Sequence, residues 1–363
     1  MGFLRFILAA FVVFQHISRI SAIGAHSVVF FFVISGYLMT LVMHGSYGYD
    51  RAGFARFWMN RILRLYPAYL VLLVVGVVLL WVVPPSALVG LSGALGVPAN
   101  PWHWLQNLTM LYLAFEPYQI EPRIAPATWA LTIELVYYLL ISLGLSRSRR
   151  ITLIWFGVSS VYTLLALAMP NAKDLTYHAI TAGSLPFSVG ALIYHYRDTL
   201  ARYLRWSSAL SFAGLMLALL GIVAFRLACR ALFGANLVDS LSVIATVPVA
   251  AAMTLLLMQR KWTPLPRKWD TLLGDLSYPI YISHWTCALA LTASLGMTGY
   301  ATGPVSLAMT AMTLVLAMLF GLFVVTIIDP RVEALRTRIR NRRPVTAEDR
   351  AKGAAGAPLQ SLH

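Results

Sequence analysis

The sequence predicts an all-α, polytopic membrane helix bundle of about ten transmembrane helices with both termini in the cytoplasm. Three observations lead there. Of 363 residues, 59% are hydrophobic and only 11% charged, with a mean hydropathy of +0.74; a soluble domain carries about 25% charged residues. Apolar stretches of about 20 residues, the length a helix needs to cross a bilayer, recur from end to end. The basic residues are also segregated. With the N-terminus inside, only Arg19, Arg123, Lys173, Arg226 and Arg230 of the 28 Lys and Arg fall in outer segments, which is the positive-inside pattern. The net charge of +15 therefore reflects topology and attraction to anionic membrane lipid, and no nucleic acid is needed to explain it. Cys229 and Cys287 both lie in apolar surroundings and imply no disulfide framework.

Taken in order, the spans are predicted over 3–20, 27–44, 67–83, 128–146, 151–169, 179–195, 207–228, 237–258, 270–292 and 305–328. The first begins at Arg5 and runs through Phe6 to Phe14. It could pass for a signal peptide, but Gln15, His16, Ser18 and Arg19 interrupt it and Ile23 suits no cleavage site. The piece at 103–115 is too short to cross and carries His103, Gln106 and Asn107, so it is expected to be interfacial or re-entrant. A cytoplasmic loop around 45–66 and an outer stretch over 84–127 are the longest non-apolar connections. Residues 1–330 form one membrane domain without detectable internal repeats. A basic cytoplasmic tail follows over 331–363, and Ala351 to His363 are expected to be disordered.

Polar residues inside such spans need a reason, because ionisable groups in hydrocarbon are expensive. Arg5 and His16 are separated by ten residues, which on a helix sets them about 16 Å apart along the axis. Arg5 then lies at one membrane face and His16 far across, either as a site or as an interfacial residue bonded to water. Glu134, within Trp129-Ala130-Leu131-Thr132-Ile133-Glu134, is a carboxylate inside a span that must pair, protonate or face a polar cavity. Arg61 and Arg64 sit three apart, on one face of any helix there, and two guanidinium forks suit phosphate. An ordinary positive-inside flank would look the same.

In Phe31-Phe32-Val33-Ile34-Ser35-Gly36-Tyr37, Gly36 allows close helix packing, and Ser35 or Tyr37 could bond across the contact or wall a tunnel. Tyr278-Pro279-Ile280-Tyr281-Ile282-Ser283-His284-Trp285 combines a helix-distorting proline with polar groups. His284 reaches a depth similar to His16 if its span runs outward from Asp270. It is expected to be structural or to support a neighbouring group. His26, His44, His103, His178 and His195 lie at span ends or in loops and call for no role.

In order and spacing, these motifs resemble acyltransferase family 3, membrane enzymes that acylate bacterial envelope glycans. The family's Arg-x10-His matches Arg5 and His16. Its Phe-Phe-x-x-Ser-Gly-Tyr matches Phe31 to Tyr37, and its Arg-x-x-Arg matches Arg61 and Arg64. Its Trp-Ser-Leu-x-x-Glu matches Trp129 to Glu134 with Ala130 in place of serine, and its Tyr-Pro-x-Tyr-x-x-His-Trp matches Tyr278 to Trp285. The likeness covers 1–328. It departs at Ala25-His26-Ser27-Val28-Val29-Phe30, where the family usually carries an acidic residue. The extracellular SGNH domain fused to many relatives is also missing, so transfer is expected to finish within the membrane domain.

The resemblance implies acetyl-CoA or another acyl-CoA as cytoplasmic co-substrate, its phosphates held by Arg61, Arg64 and Arg5. It implies a glycan or lipid-linked glycan acceptor, no metal, and the bacterial inner membrane as location. His16 would act as general base and Glu134 would orient it or hold a polar network beside it, with Ser35, Tyr37, Trp129, Tyr281 and His284 lining a tunnel or supporting the site. The alternative from another class is a proton-coupled transporter using His16, Glu134 and His284.

Overall fold

A computed structural model describes residues 1–19, 22–203, 209–258, 265–297 and 304–341. These residues form α1 (Gly2–Ser18), α2 (Ile23–Val42), α3 (Arg51–Val82), α4 (Pro101–Thr109), α5 (Trp129–Ser142), α6 (Arg149–Leu167), α7 (Ser184–Tyr203), α8 (Ala209–Phe233), α9 (Ala235–Met258), α10 (Arg267–Ser294), α11 (Pro304–Phe323) and α12 (Asp329–Asn341). Among the described residues there is no strand; a lone bridge joins Leu95 and Arg123. Among the described residues, six stretches are long and apolar enough to cross a membrane: Ile23–Tyr47, Arg51–Val82, Arg149–Leu167, Ala209–Phe233, Ala235–Met258 and Val305–Arg338. The chain is an integral membrane protein. Its exposed Val74, Val158, Leu217 and Val315 belong to these stretches and present apolar surface suited to lipid tails. Helix α1 is shorter, and α10 carries Arg267, Lys268, Asp270 and Asp275 in its first turns.

Two boundaries differ from the sequence expectation. The supposed loop over 45–66 is largely helix, because α3 starts at Arg51 and continues through Pro67 for 32 residues. Asp50 caps it by accepting from the Gly53 amide at 2.6 Å. The helix runs on through the proline, and next to it the Tyr278 hydroxyl donates to the Leu65 carbonyl at 2.9 Å. The basic tail also begins as structure. Helix α11 passes through a widened turn at Val324–Ile328 into α12, which lies on α3. The Arg64 guanidinium stands 3.8 Å from Asp329, so this segment is tied to the bundle by charge. Residues 342–363 lie outside the described residues. The short segment expected at 103–115 is the nine-residue α4, capped by Asn100, which accepts from the His103 amide.

Helices α1 and α2 form the centre. Helix α1 lies against α2, α10 and α11, while α2 lies against α7 and α9. Helix α10 runs parallel to α1 and starts beside it. The chain's amino group meets Asp270 at 3.1 Å, and the same carboxylate accepts from the Phe3 amide at 2.8 Å. Helices α2 and α7 are brought together by glycine, as Gly36 suggested. A Cβ on Gly190 would stand 2.1 Å from the Val33 carbonyl oxygen, and one on Gly36 would stand 2.2 Å from that of Phe187. Both obstacles are backbone, so Gly190→Ala must push the helices apart. It is expected to destabilise the fold by about 1–3 kcal/mol, seen as a lower Tm in detergent. An unchanged Tm would mean that α2 and α7 are not in this contact.

Candidate active site

Arg5 on α1, Arg61 and Arg64 on α3, Ser35 on α2, Glu134 on α5 and Tyr281 on α10 line one cavity of about 140 Å³. Its three guanidiniums are not equivalent. Arg64 is engaged, bonding to Asp275 at 2.8 Å and facing Asp329. Arg61 reaches Asn60 Oδ1 at 3.2 Å and lies over the Phe57 ring, and its buried Nε has no partner. Arg5 makes no hydrogen bond or ion pair with a described side chain. Arg5 and Arg61 thus line the cavity outside any ion pair among the described residues, and the Glu134 carboxylate lines it with them. Glu134 accepts from the Ser35 hydroxyl at 2.6 Å and from the Tyr138 hydroxyl. Two donors from within the bundle make a carboxylate tolerable at this depth.

The partner of His16 is on α10. The His284 Nδ1 stands 2.7 Å from the Tyr281 carbonyl. A carbonyl only accepts, so that nitrogen carries the proton and the His284 Nε2 of the neutral ring is bare. It lies 2.9 Å from the His16 Nδ1, which must therefore be the donor. The chain of bonds leaves the His16 Nε2 as an unprotonated lone pair. The two rings stack with centroids 5.1 Å apart, and Trp285 packs on His16 at 5.3 Å, fixing its orientation.

His16 belongs to a second and larger cavity of about 410 Å³, shared with Trp129, His26, Asp174 and His178. The His178 Nδ1 and Asp174 Oδ1 are 2.7 Å apart. Burial holds the His178 pKa below its ordinary value, against the opposing pull of Asp174. The His178 ring stacks on Tyr118 with centroids 4.4 Å apart, and Trp129 meets it edge-on at 5.3 Å. Arg123, fully buried, holds this wall in place by donating to the carbonyls of Tyr118, Ile120 and Pro126. On the same cavity wall, Asp239 gathers Arg226 at 2.9 Å, Arg230 at 3.3 Å and Lys173 at 3.7 Å. Among the described residues no group of three or more His, Cys, Asp or Glu could hold a metal ion.

The structure therefore divides the residues singled out in the sequence. Arg5, Arg61, Arg64, Ser35, Glu134 and Tyr281 share the smaller cavity. His16 and Trp129 line the larger one, and His284 supports His16. Glu134 makes no bond to His16; it holds a polar network with Ser35 and Tyr138, and the ring bonded to His16 is that of His284. Tyr37 lines neither cavity and packs in the α2–α7 region, its ring 6.5 Å from Tyr194. His26 and His178, both dismissed from the sequence, turn out to share the cavity of His16. The Asp174-x-x-x-His178 spacing, one helical turn, was the available signal for His178; His26 had none.

A family model described as an acyltransferase domain matches residues 1–328. Among curated proteins, O-acetyltransferase OatA from Staphylococcus aureus strains NCTC 8325, COL and MRSA252 is 33% identical over 118 residues. The match covers 31% of this chain and 19% of each relative, so it spans about a fifth of those proteins' length. No solved structure matches.

Proposed function

The chain belongs to acyltransferase family 3, matched over residues 1–328, and from that membership we propose that it is a membrane O-acyltransferase. In this proposal it moves an acyl group, acetyl first among the candidates, from cytoplasmic acyl-CoA to a hydroxyl of a cell-surface polysaccharide or its lipid-linked precursor. The observation that carries the reading is the division of labour along α1. Arg5 opens onto a cavity that it shares with Arg61, Arg64 and Glu134, and eleven residues later His16 offers a bare nitrogen to a different cavity. Phosphates of the donor would be held by Arg5 and Arg61, with Arg64 beside them. The pantetheine arm is similar in length to the axial gap of about 16 Å, so the thioester would reach toward His16 through the bundle.

The acceptor hydroxyl would attack the thioester carbonyl carbon while its proton passes to the His16 Nε2. Collapse of the tetrahedral adduct breaks the C–S bond, and the proton leaves with the CoA thiol. We favour this direct transfer over an acyl-enzyme on Ser35 or Tyr37, since neither residue lines the cavity of His16. The topology that goes with it has ten spans, both termini inside, and the bacterial inner membrane as host.

His284 is then a positioning residue. His284→Phe keeps the ring packing but offers no acceptor, so His16 loses its tautomer control. We expect kcat to fall by about 100-fold with the KM for acetyl-CoA unchanged, and His284→Gln, whose carbonyl can accept the same N–H, to recover much of it. An unchanged kcat in His284→Phe would remove the relay. The transporter alternative needs His16, Glu134 and His284 in one proton path, whereas Glu134 lies in the other cavity, bonded to two hydroxyls. The decisive assay is transfer of labelled acetyl from acetyl-CoA to envelope glycan of the native host.

A further inference from the structure

We propose that the larger cavity is the acceptor subsite and that it selects an uncharged, hydroxyl-rich sugar ring; this rests on the O-acyltransferase reading above. Its three imidazoles show the same bonding pattern. The His16 Nδ1 donates to His284, leaving Nε2 bare. The His178 Nδ1 donates to the Asp174 carboxylate, and its Nε2 is likewise the free edge. Thr246 donates its hydroxyl proton to the Ser242 carbonyl at 2.9 Å, so its oxygen accepts from the His26 Nδ1 at 2.7 Å. The His26 ring is fully buried and its Nε2 has no partner.

The His16 and His178 Nε2 lone pairs and the Asp174 carboxylate therefore border one space of about 410 Å³, and the His26 Nε2 is buried behind its wall. A buried acceptor left unmatched is costly, so the cavity calls for a ligand rich in donors. These nitrogens are not grouped as a metal site among the described residues. The basic side chains on the wall, Lys173 and Arg226, are drawn to Asp239, which they share with Arg230. An anionic ring would bring acceptors to acceptors and meet Asp174 at the mouth. A neutral sugar brings several hydroxyl protons, and the cluster of Tyr118, Trp129 and Tyr177 supplies aromatic surface for its C–H faces. One of its hydroxyls would meet the His16 Nε2, the base already assigned to the reaction.

The test uses the purified full chain and surface glycan of the native host, separated by anion exchange into a neutral and an acidic oligosaccharide pool. Equilibrium dialysis of each labelled pool measures binding without turnover. The neutral pool should bind more tightly. His178→Phe, which keeps the stack on Tyr118, should weaken it by at least about 10-fold while acetyl-CoA affinity stays unchanged. Retained acetyl-CoA binding reports an intact fold. If His178→Phe loses it, Asp174→Asn is the second variant, with the same expected result. Tighter binding of the acidic pool, no binding of either, or neutral-pool affinity unchanged in a folded variant would overturn the proposal. Neutral-pool binding without acetyl transfer would leave this subsite standing and remove the acyltransferase reading. Transfer onto acidic rings would do the reverse.

Discussion

Membranes carrying His16→Ala are expected to transfer acetyl from acetyl-CoA to host glycan about 10²–10⁴-fold more slowly than wild type. The proton of the attacking hydroxyl is proposed to pass to the His16 Nε2, whose state is set through His284 by the Tyr281 carbonyl. Removing the ring also leaves the His284 Nε2 buried without its donor, a loss of about 1–3 kcal/mol. Rates must therefore be compared at matched protein abundance. Acetyl-CoA binding is the control, because the arginine cavity does not include His16. Equal label in glycan from both membranes would take His16 out of the chemistry, whatever the family.

The second large effect concerns Arg61. Arg61→Ala is expected to raise the half-saturating acetyl-CoA concentration by about 10–100-fold, the consequence of losing a charge-assisted contact worth about 1.5–3 kcal/mol. Its Tm should barely move, since Arg61 holds no ion pair among the described residues and its Nε is unpartnered there. Arg64→Ala is a poorer probe. It would strand Asp275 and Asp329, both partly buried and facing the same guanidinium, and so loosen α3 from α10 and α12. Arg61→Lys should recover part of the affinity, because a point charge replaces the fork without its two-pronged geometry. Unchanged acetyl-CoA affinity in a folded Arg61→Ala would remove phosphate binding from this cavity.

The contrast between Arg61 and Arg64 shows where sequence reading stops. Three residues apart on a helix, they are equivalent by spacing, and only the partners supplied by α10 and α12 separate them. Glu134 was identifiable as a carboxylate requiring a reason, but its reason lies in Ser35 and Tyr138. Ser35 comes from a helix far away in the chain. His26 illustrates the opposite failure. At a span end it looked ordinary, and its unpartnered nitrogen emerges only when α9 places Thr246 against it.

By itself, the sequence determined that this is a helical membrane protein, where several of its apolar helices run, and which ordered motifs tie it to an acyltransferase family. Those properties are local. A bilayer selects linear stretches of about 20 apolar residues, and helical spacing relates residues three or four apart. Tertiary structure alone decided that α1 and α10 run side by side, that His16 meets His284, and that the arginines and the histidines face two different cavities. The physical reason is the membrane itself. Lipid tails are as apolar as a helix interface, so no amphipathic pattern tells which face of a span meets lipid and which meets another helix. Pairing then rests on small-residue contacts such as Gly36 and Gly190 and on buried polar bonds, and these join residues that the sequence leaves far apart.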